Sequence, residues 1–188
     1  MSVFLTSDCH FNHDKEFIWK ARGFDNVQEM NEAIVSHWNL IVQPEDDVYL
    51  LGDVMLGDAS SIEFLKRLNG KIHIVYGNHD TSNRKKMYSK CANVVECADA
   101  LSFKYRKYHF YLSHYPTITT NGEIQGLGQV TINFYGHTHQ TTNFYDDIPW
   151  IYHVGMDSHN CCPINIDDAI EEMRHEFEGY KLSKNLEN

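Results

Sequence analysis

The chain has 188 residues, which suits a single domain with a buried core. A hydrophobic fraction of 42% and an aromatic fraction of 13% exclude a disordered chain. The formal net charge of −10 argues against a general electrostatic attraction to nucleic acid or to anionic membranes. No apolar run approaches the ~20 residues of a membrane span, and the first residues lack the basic and apolar regions of a signal peptide.

The cysteines indicate a reducing compartment. There are five of them, two are adjacent, and none belongs to a Cys-x-x-Cys pair of the kind found in zinc ribbons. Reduced thiols are the simplest interpretation of this pattern. We therefore expect a cytoplasmic protein without a membrane attachment.

The first part of the chain alternates between short apolar runs and amphipathic segments. The apolar runs predict strands at residues 3–6, 48–51 and 72–76. Residues 26–42 and 60–68 carry apolar side chains at three- and four-residue steps, which predicts helices. This order is typical of parallel strands joined by crossover helices.

The second part of the chain is richer in strands. Residues 100–105 and 108–113 predict a hairpin, and residues 130–135 and 150–154 predict two further strands. Residues 117–129 hold three glycines and predict a loop or lid, and residues 167–177 predict a final amphipathic helix. We expect one domain over residues 1–178 and a polar tail over residues 179–188.

Five of the predicted strands end in side chains that can bind a cation. These are Asp8 and His10, Asp53, Asn78 with His79, His114, and the pair His137 and His139. Because sites in layered α/β folds lie outside the carboxyl ends of strands, we expect these side chains to converge. Asp8 and His10 are two residues apart, as are His137 and His139, so an extended backbone would place the two members of each of these pairs on one face.

The donor set indicates the type of metal. Carboxylate, imidazole and amide donors without cysteine suit Mn²⁺, iron or Zn²⁺ better than a metal that prefers thiolates. A set of about seven or eight donors exceeds the four positions of a tetrahedral zinc site. It suits two cations ~3.5–4 Å apart that share a bridging carboxylate.

The five blocks together resemble the signature of the calcineurin-like metallophosphoesterases. That signature reads Asp-x-His, Gly-Asp, Gly-Asn-His-Asp/Glu, His and Gly-His-x-His. In the same order, the chain carries Asp8-Cys9-His10, Gly52-Asp53, Gly77-Asn78-His79-Asp80, His114 and Gly136-His137-Thr138-His139. The resemblance implies an α/β fold, a four-layer sandwich of two mixed β-sheets flanked by helices, with a dinuclear metal site at the carboxyl ends of strands. The length is similar to that of small single-domain bacterial and phage-type phosphodiesterases.

The resemblance also implies a role for each matching residue. One divalent ion would be bound by Asp8, His10, Asp53 and His139, and a second by Asp53, Asn78, His114 and His137. Mn²⁺ is the first choice, with iron, Zn²⁺ or Ni²⁺ as alternatives. His79 would stabilise the reacting phosphoryl group or protonate the leaving oxygen, and Asp80 would orient His79.

The predicted activity is hydrolysis of a small phosphoester, with phosphodiester cleavage favoured, by a hydroxide that bridges two metals. Arg22 and the loop that carries Asn12 and His13 are predicted to hold the substrate, although an isolated arginine of this kind is more often a solvated surface residue. Asp157 and His159 lie in a loop that could reach the site. Cys9 and His153 are predicted to be buried structural residues.

Two other functions remain open at this stage. A nuclease acting on single-stranded nucleic acid would need a basic track, and residues 81–93, which otherwise predict a solvated helix, provide the only candidate. The acidic composition argues against it. A catalytically silent scaffold with the same fold is also compatible with the sequence, although no ligand position of the signature is missing.

Overall fold

The computed structural model describes residues 1–120 and 124–186 of the chain. Within these residues the strands form two five-stranded sheets. Each sheet contains both parallel and antiparallel neighbours, so both are mixed. None of the described helices combines the length and the apolar character that a membrane span requires.

The first sheet is built from the amino-terminal strands. Its strands are β1 (Val3–Thr6), β2 (Asp47–Leu51), β3 (Lys71–Val75), β4 (Val94–Ala98) and the two-residue β10 (Ile164–Asn165). β1 to β4 run parallel in chain order, and β10 pairs antiparallel with β1. The predicted parallel arrangement is therefore confirmed.

Helices connect the strands of this sheet. They are α1 (Glu16–Trp19), α2 (Val27–Ile41), α3 (Ile62–Lys66) and α4 (Ser82–Tyr88). The side chain of Asn26 caps α2 by accepting a hydrogen bond from the NH of Glu29 at 2.8 Å. Met30, Ile34 and Trp38 form the buried face of α2, as their spacing predicts.

The second sheet comes from the carboxyl-terminal half. Its strands are β5 (Leu101–Tyr105), β6 (Tyr108–Leu112), β7 (Thr131–Tyr135), β8 (Phe144–Tyr145) and β9 (Ile148–His153). The strand order is β5-β6-β7-β9-β8, in which β6, β7 and β9 are parallel. The predicted hairpin of β5 and β6 is confirmed.

The two sheets face each other across a shared core. Leu5, Leu51 and Val75 of the first sheet pack in one cluster with Phe134 and Tyr152 of the second. The final helix, α5 (Ile166–Leu186), contributes its apolar face to the same cluster, while α2 packs in a separate core with the first sheet. The predicted four-layer α/β sandwich is therefore confirmed.

The observed elements differ from the predicted ones mainly at the edges. β4, an edge strand whose Val95 is exposed, is not predicted from the sequence, because a half-solvated edge lacks a continuous apolar pattern. α5 continues through much of the predicted tail, where Lys181 pairs with Glu178 one turn earlier. Residues 121–123 of the predicted loop and residues 187–188 of the predicted tail lie outside the described residues.

Candidate metal centre

The carboxyl ends of three strands in the first sheet and two in the second meet at one edge of the sandwich. Hydrogen bonds between backbone groups join the loops there. The NH of Asp8 donates to the carbonyl of Gly52 at 3.0 Å, and the NH of Gly136 donates to the carbonyl of His114 at 3.0 Å. A bridge between Ser7 and Gly155 connects β1 to the segment that follows β9. The fold thus brings the five sequence blocks together.

One group of potential ligands contains Asp8, His10 and His139, whose donor atoms lie within 4.8 Å of one another. Nε2 of His10 is 3.1 Å from Nε2 of His139. Oδ1 of Asp8 is 3.8 Å from Nε2 of His10 and 3.9 Å from Nε2 of His139. The three atoms therefore face a common point, as a cation site requires.

A second group contains Asp8, Asp53 and His114, also with donor atoms within 4.8 Å. Asn78 and His137 adjoin this group. Oδ1 of Asn78 is 2.9 Å from Nε2 of His114 and 2.9 Å from Nδ1 of His137. All seven metal ligands that the resemblance implies are thus close together in the structure.

Asp53 lies between the two groups. Its Oδ2 is 3.7 Å from Nε2 of His10 in the first group and 3.5 Å from Nε2 of His114 in the second. Nε2 of His79 is 3.9 Å from the same oxygen. A single carboxylate oxygen surrounded by imidazoles from both groups has the position expected of a bridging ligand.

The buried carboxylate of Asp8 shows that the site suits a cation. Oδ2 accepts a hydrogen bond from the NH of His137 at 2.9 Å, whereas Oδ1 is buried without a hydrogen-bond partner. Burial raises the pKa of Asp8, because a charged oxygen without a partner is unfavourable away from water. A divalent cation would supply the missing partner, so the donor set fits a hard or borderline metal ion.

The rear of two imidazoles, meaning the Nδ1 side opposite the Nε2 that faces the ligand groups, donates hydrogen bonds that select the tautomer able to bind a metal. Nδ1 of His114 donates to the carbonyl of Leu51 at 2.8 Å, which leaves Nε2 with a free lone pair. Nδ1 of His139 donates to Oδ2 of Asp157 at 2.9 Å, with the same consequence. Backbone carbonyls and carboxylates commonly orient metal-binding histidines in this way.

The backbone at the ligands differs from the extended conformation predicted from the sequence. β1, β2 and β7 end before the ligands begin, and five ligand residues adopt left-handed φ angles. These angles are 58° at Asp8, 50° at His10, 52° at Asp53, 71° at His137 and 49° at His139. The ligands therefore project from sharp, unfavourable turns that the surrounding hydrogen bonds hold in place.

Asp80 also differs from its predicted role. Its Oδ2 accepts hydrogen bonds from the NH groups of Asp53 at 2.9 Å and Gly77 at 2.7 Å. Oδ1 accepts from the hydroxyl of Tyr88 at 2.7 Å and from the NH of Val54 at 3.3 Å. Asp80 thus orders the loops after β2 and β3 instead of orienting the His79 ring, because its buried carboxylate needs the donors that the strand ends leave unpaired.

The residues predicted to hold substrate occupy three different environments. The Arg22 side chain is 1% exposed and pairs with Asp157, so its guanidinium does not face solvent. Asn12 is tied by hydrogen bonds to Asn31 and Ser61. The predicted substrate contacts of Arg22 and Asn12 are therefore replaced by contacts within the protein, because both side chains satisfy buried polar groups.

His13 is the member of this trio that lies at the mouth of the site. It is partly exposed, and its Nδ1 is 3.2 Å from Nδ1 of His10. Its ring centroid is 6.0 Å from that of His79, whose side chain is 43% exposed. Both imidazoles are thus accessible from solvent next to the buried ligands Asp8, His10 and Asp53.

The other residues considered from the sequence are accounted for by the fold. Cys9 is fully buried, as predicted, and burial raises the pKa of its thiol. His153 is buried, with Nδ1 2.8 Å from Oγ of Ser158. Nε2 of His159 lies 2.9 Å from the carbonyl of His153, and its ring stacks on that of Tyr152. Asp157 does reach the site, through His139.

Comparison with known proteins identifies the family. The sequence profile of the calcineurin-like phosphoesterase superfamily domain matches residues 1–158. The chain belongs to this family. All of the ligand motifs lie within the matched region, and the observed fold agrees with it.

Several relatives of this phosphoesterase domain are known. An uncharacterized protein of Methanocaldococcus jannaschii is 32% identical over 177 residues, which cover 88% of this chain and 87% of the relative. The gene 66 protein of Mycobacterium phage L5 is 26% identical over 84 residues, covering 42% of this chain and 40% of the phage protein. The crystal structure of AQ665, a protein of unknown function from Aquifex aeolicus, superimposes with a TM-score of 0.67 at 21% identity, covering 90% of this chain and 98% of that one. This last likeness supports the fold alone.

Proposed function

We propose that this calcineurin-like phosphoesterase is a phosphodiesterase that binds two divalent cations, preferentially Mn²⁺, and hydrolyses a small phosphoester. The observation that carries the proposal is the position of Asp53. Its Oδ2 lies 3.7 Å from His10 of one ligand group and 3.5 Å from His114 of the other. A shared carboxylate of this kind supports a pair of cations better than a single one.

The cations would attract the phosphoryl oxygens and make water acidic enough to act as a nucleophile near neutral pH. The protein provides the geometry for this chemistry. Asp8 and Asp53 supply the negative charge that retains the cations, and the rear hydrogen bonds of His114 and His139 hold their rings in fixed orientations.

His79 is the side chain best placed to act on the substrate itself. Its NH donates to Oδ1 of Asp53 at 2.8 Å, which fixes its backbone beside the proposed bridging ligand. Its ring is 43% exposed, and Nε2 is 3.9 Å from Oδ2 of Asp53. An imidazole in this position can donate a hydrogen bond to a phosphoryl oxygen or a proton to the departing alkoxide.

The surface around the site supports a small substrate over a long polyanion. Two basic side chains of the segment at residues 81–93 contact other groups of the protein. Arg84 donates to the carbonyl of His79 at 2.6 Å, and the ammonium group of Lys85 lies 3.9 Å from the centre of the Tyr76 ring. A basic track for nucleic acid is therefore weaker than the sequence suggests.

Hydrolysis of bis-p-nitrophenyl phosphate by protein stripped of metal and reloaded with Mn²⁺ tests the proposal. We expect metal-dependent activity, and p-nitrophenyl phosphate as the slower substrate. Asp53→Asn should lower kcat by about 100-fold or more, since it weakens a ligand shared by both cations.

Asp146→Asn is the matched control for Asp53→Asn. It makes the same chemical change at an exposed aspartate with a similar left-handed φ of 50°. This variant should keep wild-type activity. Full activity of Asp53→Asn, or the absence of hydrolysis by protein that has bound metal, would overturn the proposal.

A further inference from the structure

Two oppositely charged side chains are buried directly behind the first ligand group. The side chain of Arg22 is 1% exposed and that of Asp157 is 10% exposed. Nε of Arg22 donates to Oδ1 of Asp157 at 3.0 Å, and Nη2 donates to Oδ2 at 2.9 Å. This two-pronged geometry is the strongest form of an arginine–carboxylate pair.

Asp157 connects this pair to a proposed metal ligand. Its Oδ2 also accepts the hydrogen bond from Nδ1 of His139, at 2.9 Å. This contact holds the His139 ring so that its Nε2 faces His10, 3.1 Å away.

Arg22 connects the pair to the opposite wall of the same ligand group. Its Nη2 donates to the carbonyl of Asp8 at 2.8 Å, and Nη1 donates to the carbonyl of Cys9 at 3.3 Å. These carbonyls belong to the turn in which Asp8 and His10 have left-handed φ angles. Arg22 thus satisfies the acceptors of an unfavourable turn and joins that turn, through Asp157, to His139.

We propose that Arg22 and Asp157 form a positioning pair that sets the geometry of the cation site made by Asp8, His10 and His139. The inference rests on the proposed function for the presence of cations at the ligands. It adds that one site of the two depends on this pair. In the part of the chain that the structure describes, the rear contact of His114 is instead the carbonyl of Leu51.

A purely structural ion pair is the competing explanation. Arg22 and Asp157 join the segment after α1 to the segment after β9, so removing either partner would leave a buried charge uncompensated and lower stability. Such a pair would not change the affinity of one cation site relative to the other. Metal binding measured site by site therefore separates the two explanations.

The experiment is a calorimetric titration of the metal-free, full-length protein with Mn²⁺. Wild type should bind two ions per chain. Asp157→Asn, which keeps the shape of the side chain but removes its charge, should weaken one of the two binding events by about 10- to 100-fold and leave the other unchanged. Arg22→Lys keeps the charge but cannot make both hydrogen bonds to Asp157, so it should weaken the same binding event by a smaller factor.

The chain offers a matched control. Arg67 makes an equally two-pronged pair with Glu32 on the surface, with 46% and 59% of these side chains exposed. Arg67→Lys should leave both binding events at their wild-type affinities, since this pair contacts none of the proposed ligands.

Each outcome decides the question. If Asp157→Asn and Arg22→Lys bind both ions like wild type while melting at a lower temperature, the pair is structural and the inference is wrong. Should Asp157→Asn fail to fold, Arg22→Lys alone decides by the same criterion. A wild-type protein that binds no ions would instead refute the proposed function, which distinguishes the two failures.

Discussion

The carboxylate of Asp80 accepts a hydrogen bond from the backbone NH of Asp53 at 2.9 Å. This contact joins the loop after β3 to the loop after β2, at the residue whose side chain lies between the two ligand groups. The same oxygen accepts from the NH of Gly77 at 2.7 Å. Asp80 therefore holds the backbone of the proposed bridging ligand in place, while both of its own oxygens accept hydrogen bonds from protein donors.

Replacing Asp80 should lower stability strongly. Asp80→Asn keeps the shape of the side chain but exchanges one of its two acceptor oxygens for an NH₂ group. Each oxygen accepts from two donors, so two donors lose their acceptor whichever way the amide is oriented. We expect the free energy of unfolding to fall by about 2–4 kcal/mol, measured by urea denaturation. Tyr88→Phe, which removes one hydrogen bond to Asp80, should cost only about 1 kcal/mol. Equal losses in the two variants would contradict this account.

Replacing His79 should affect catalysis more than metal binding. We expect His79→Gln to lower kcat by about 10²- to 10⁴-fold, because the exposed imidazole acts on the substrate, while the Mn²⁺ content stays at the wild-type level. If His79 protonates the leaving group, the loss will be larger for an alkyl ester than for a p-nitrophenyl ester, whose leaving group needs no proton. A variant that loses its metal together with its activity would show that His79 is a ligand.

Gly52 should tolerate no side chain, since it combines a φ of +91° with close neighbours. A Cβ atom there would lie 2.6 Å from Nδ1 of His114 and 2.6 Å from the NH nitrogen of Gly77. Gly52→Ala should therefore displace His114 from Leu51 and lower both the melting temperature and the Mn²⁺ affinity.

Gly23→Ala separates the steric effect of a Cβ atom at Gly52 from the effect of the left-handed φ angle. Gly23 has a similar φ of +85°, but a Cβ there would meet no atom within 4 Å. Gly23→Ala should lower the free energy of unfolding by only the roughly 1 kcal/mol that the left-handed conformation costs, and it should leave Mn²⁺ binding intact. Equal effects of the two variants on metal binding would argue against the steric explanation.

The buried His153 should make the protein less stable in mild acid. Burial, together with the nearby His159, lowers the pKa of His153 from an ordinary value of 6.5 to about 3. The unfolded chain therefore binds a proton as the pH falls below 6.5, while the folded protein does not, so stability decreases in that range. Between pH 7 and pH 5 this linkage amounts to about 2 kcal/mol for a single group.

Comparing urea denaturation at pH 7 and pH 5 tests this prediction. His153→Asn should lose less stability than wild type between the two values, whatever its stability at pH 7. His175→Asn, an exposed change on α5, should keep the wild-type difference. A His153→Asn variant with the wild-type pH dependence would show that another group is responsible.

The fold and the convergence of the ligands could be predicted from the sequence because each depends on local patterns. The apolar runs before Asp8, Asp53 and Asn78 identify parallel strands, and parallel strands bring their carboxyl ends to one edge. The order of the five motifs then predicts the family, which the match over residues 1–158 confirms.

The contacts behind the ligands could not be predicted, because they join residues far apart in the chain. Arg22 meets Asp157 across 135 positions, and an isolated arginine in a polar segment has the same local appearance whether it is exposed or buried. The left-handed turns at Asp8 and His10 cannot be predicted from the sequence, for a related reason. Their φ angles are imposed by hydrogen bonds from other segments, since neither residue type requires such an angle on its own.

The most direct test of the central claim is a crystal structure of the protein soaked in Mn²⁺, with anomalous scattering used to locate the ions. Our account predicts two peaks about 3.5–4 Å apart, with Oδ2 of Asp53 between them and Oδ1 of Asp8 bonded to metal. Peaks elsewhere, or none at these residues at a saturating Mn²⁺ concentration, would contradict it.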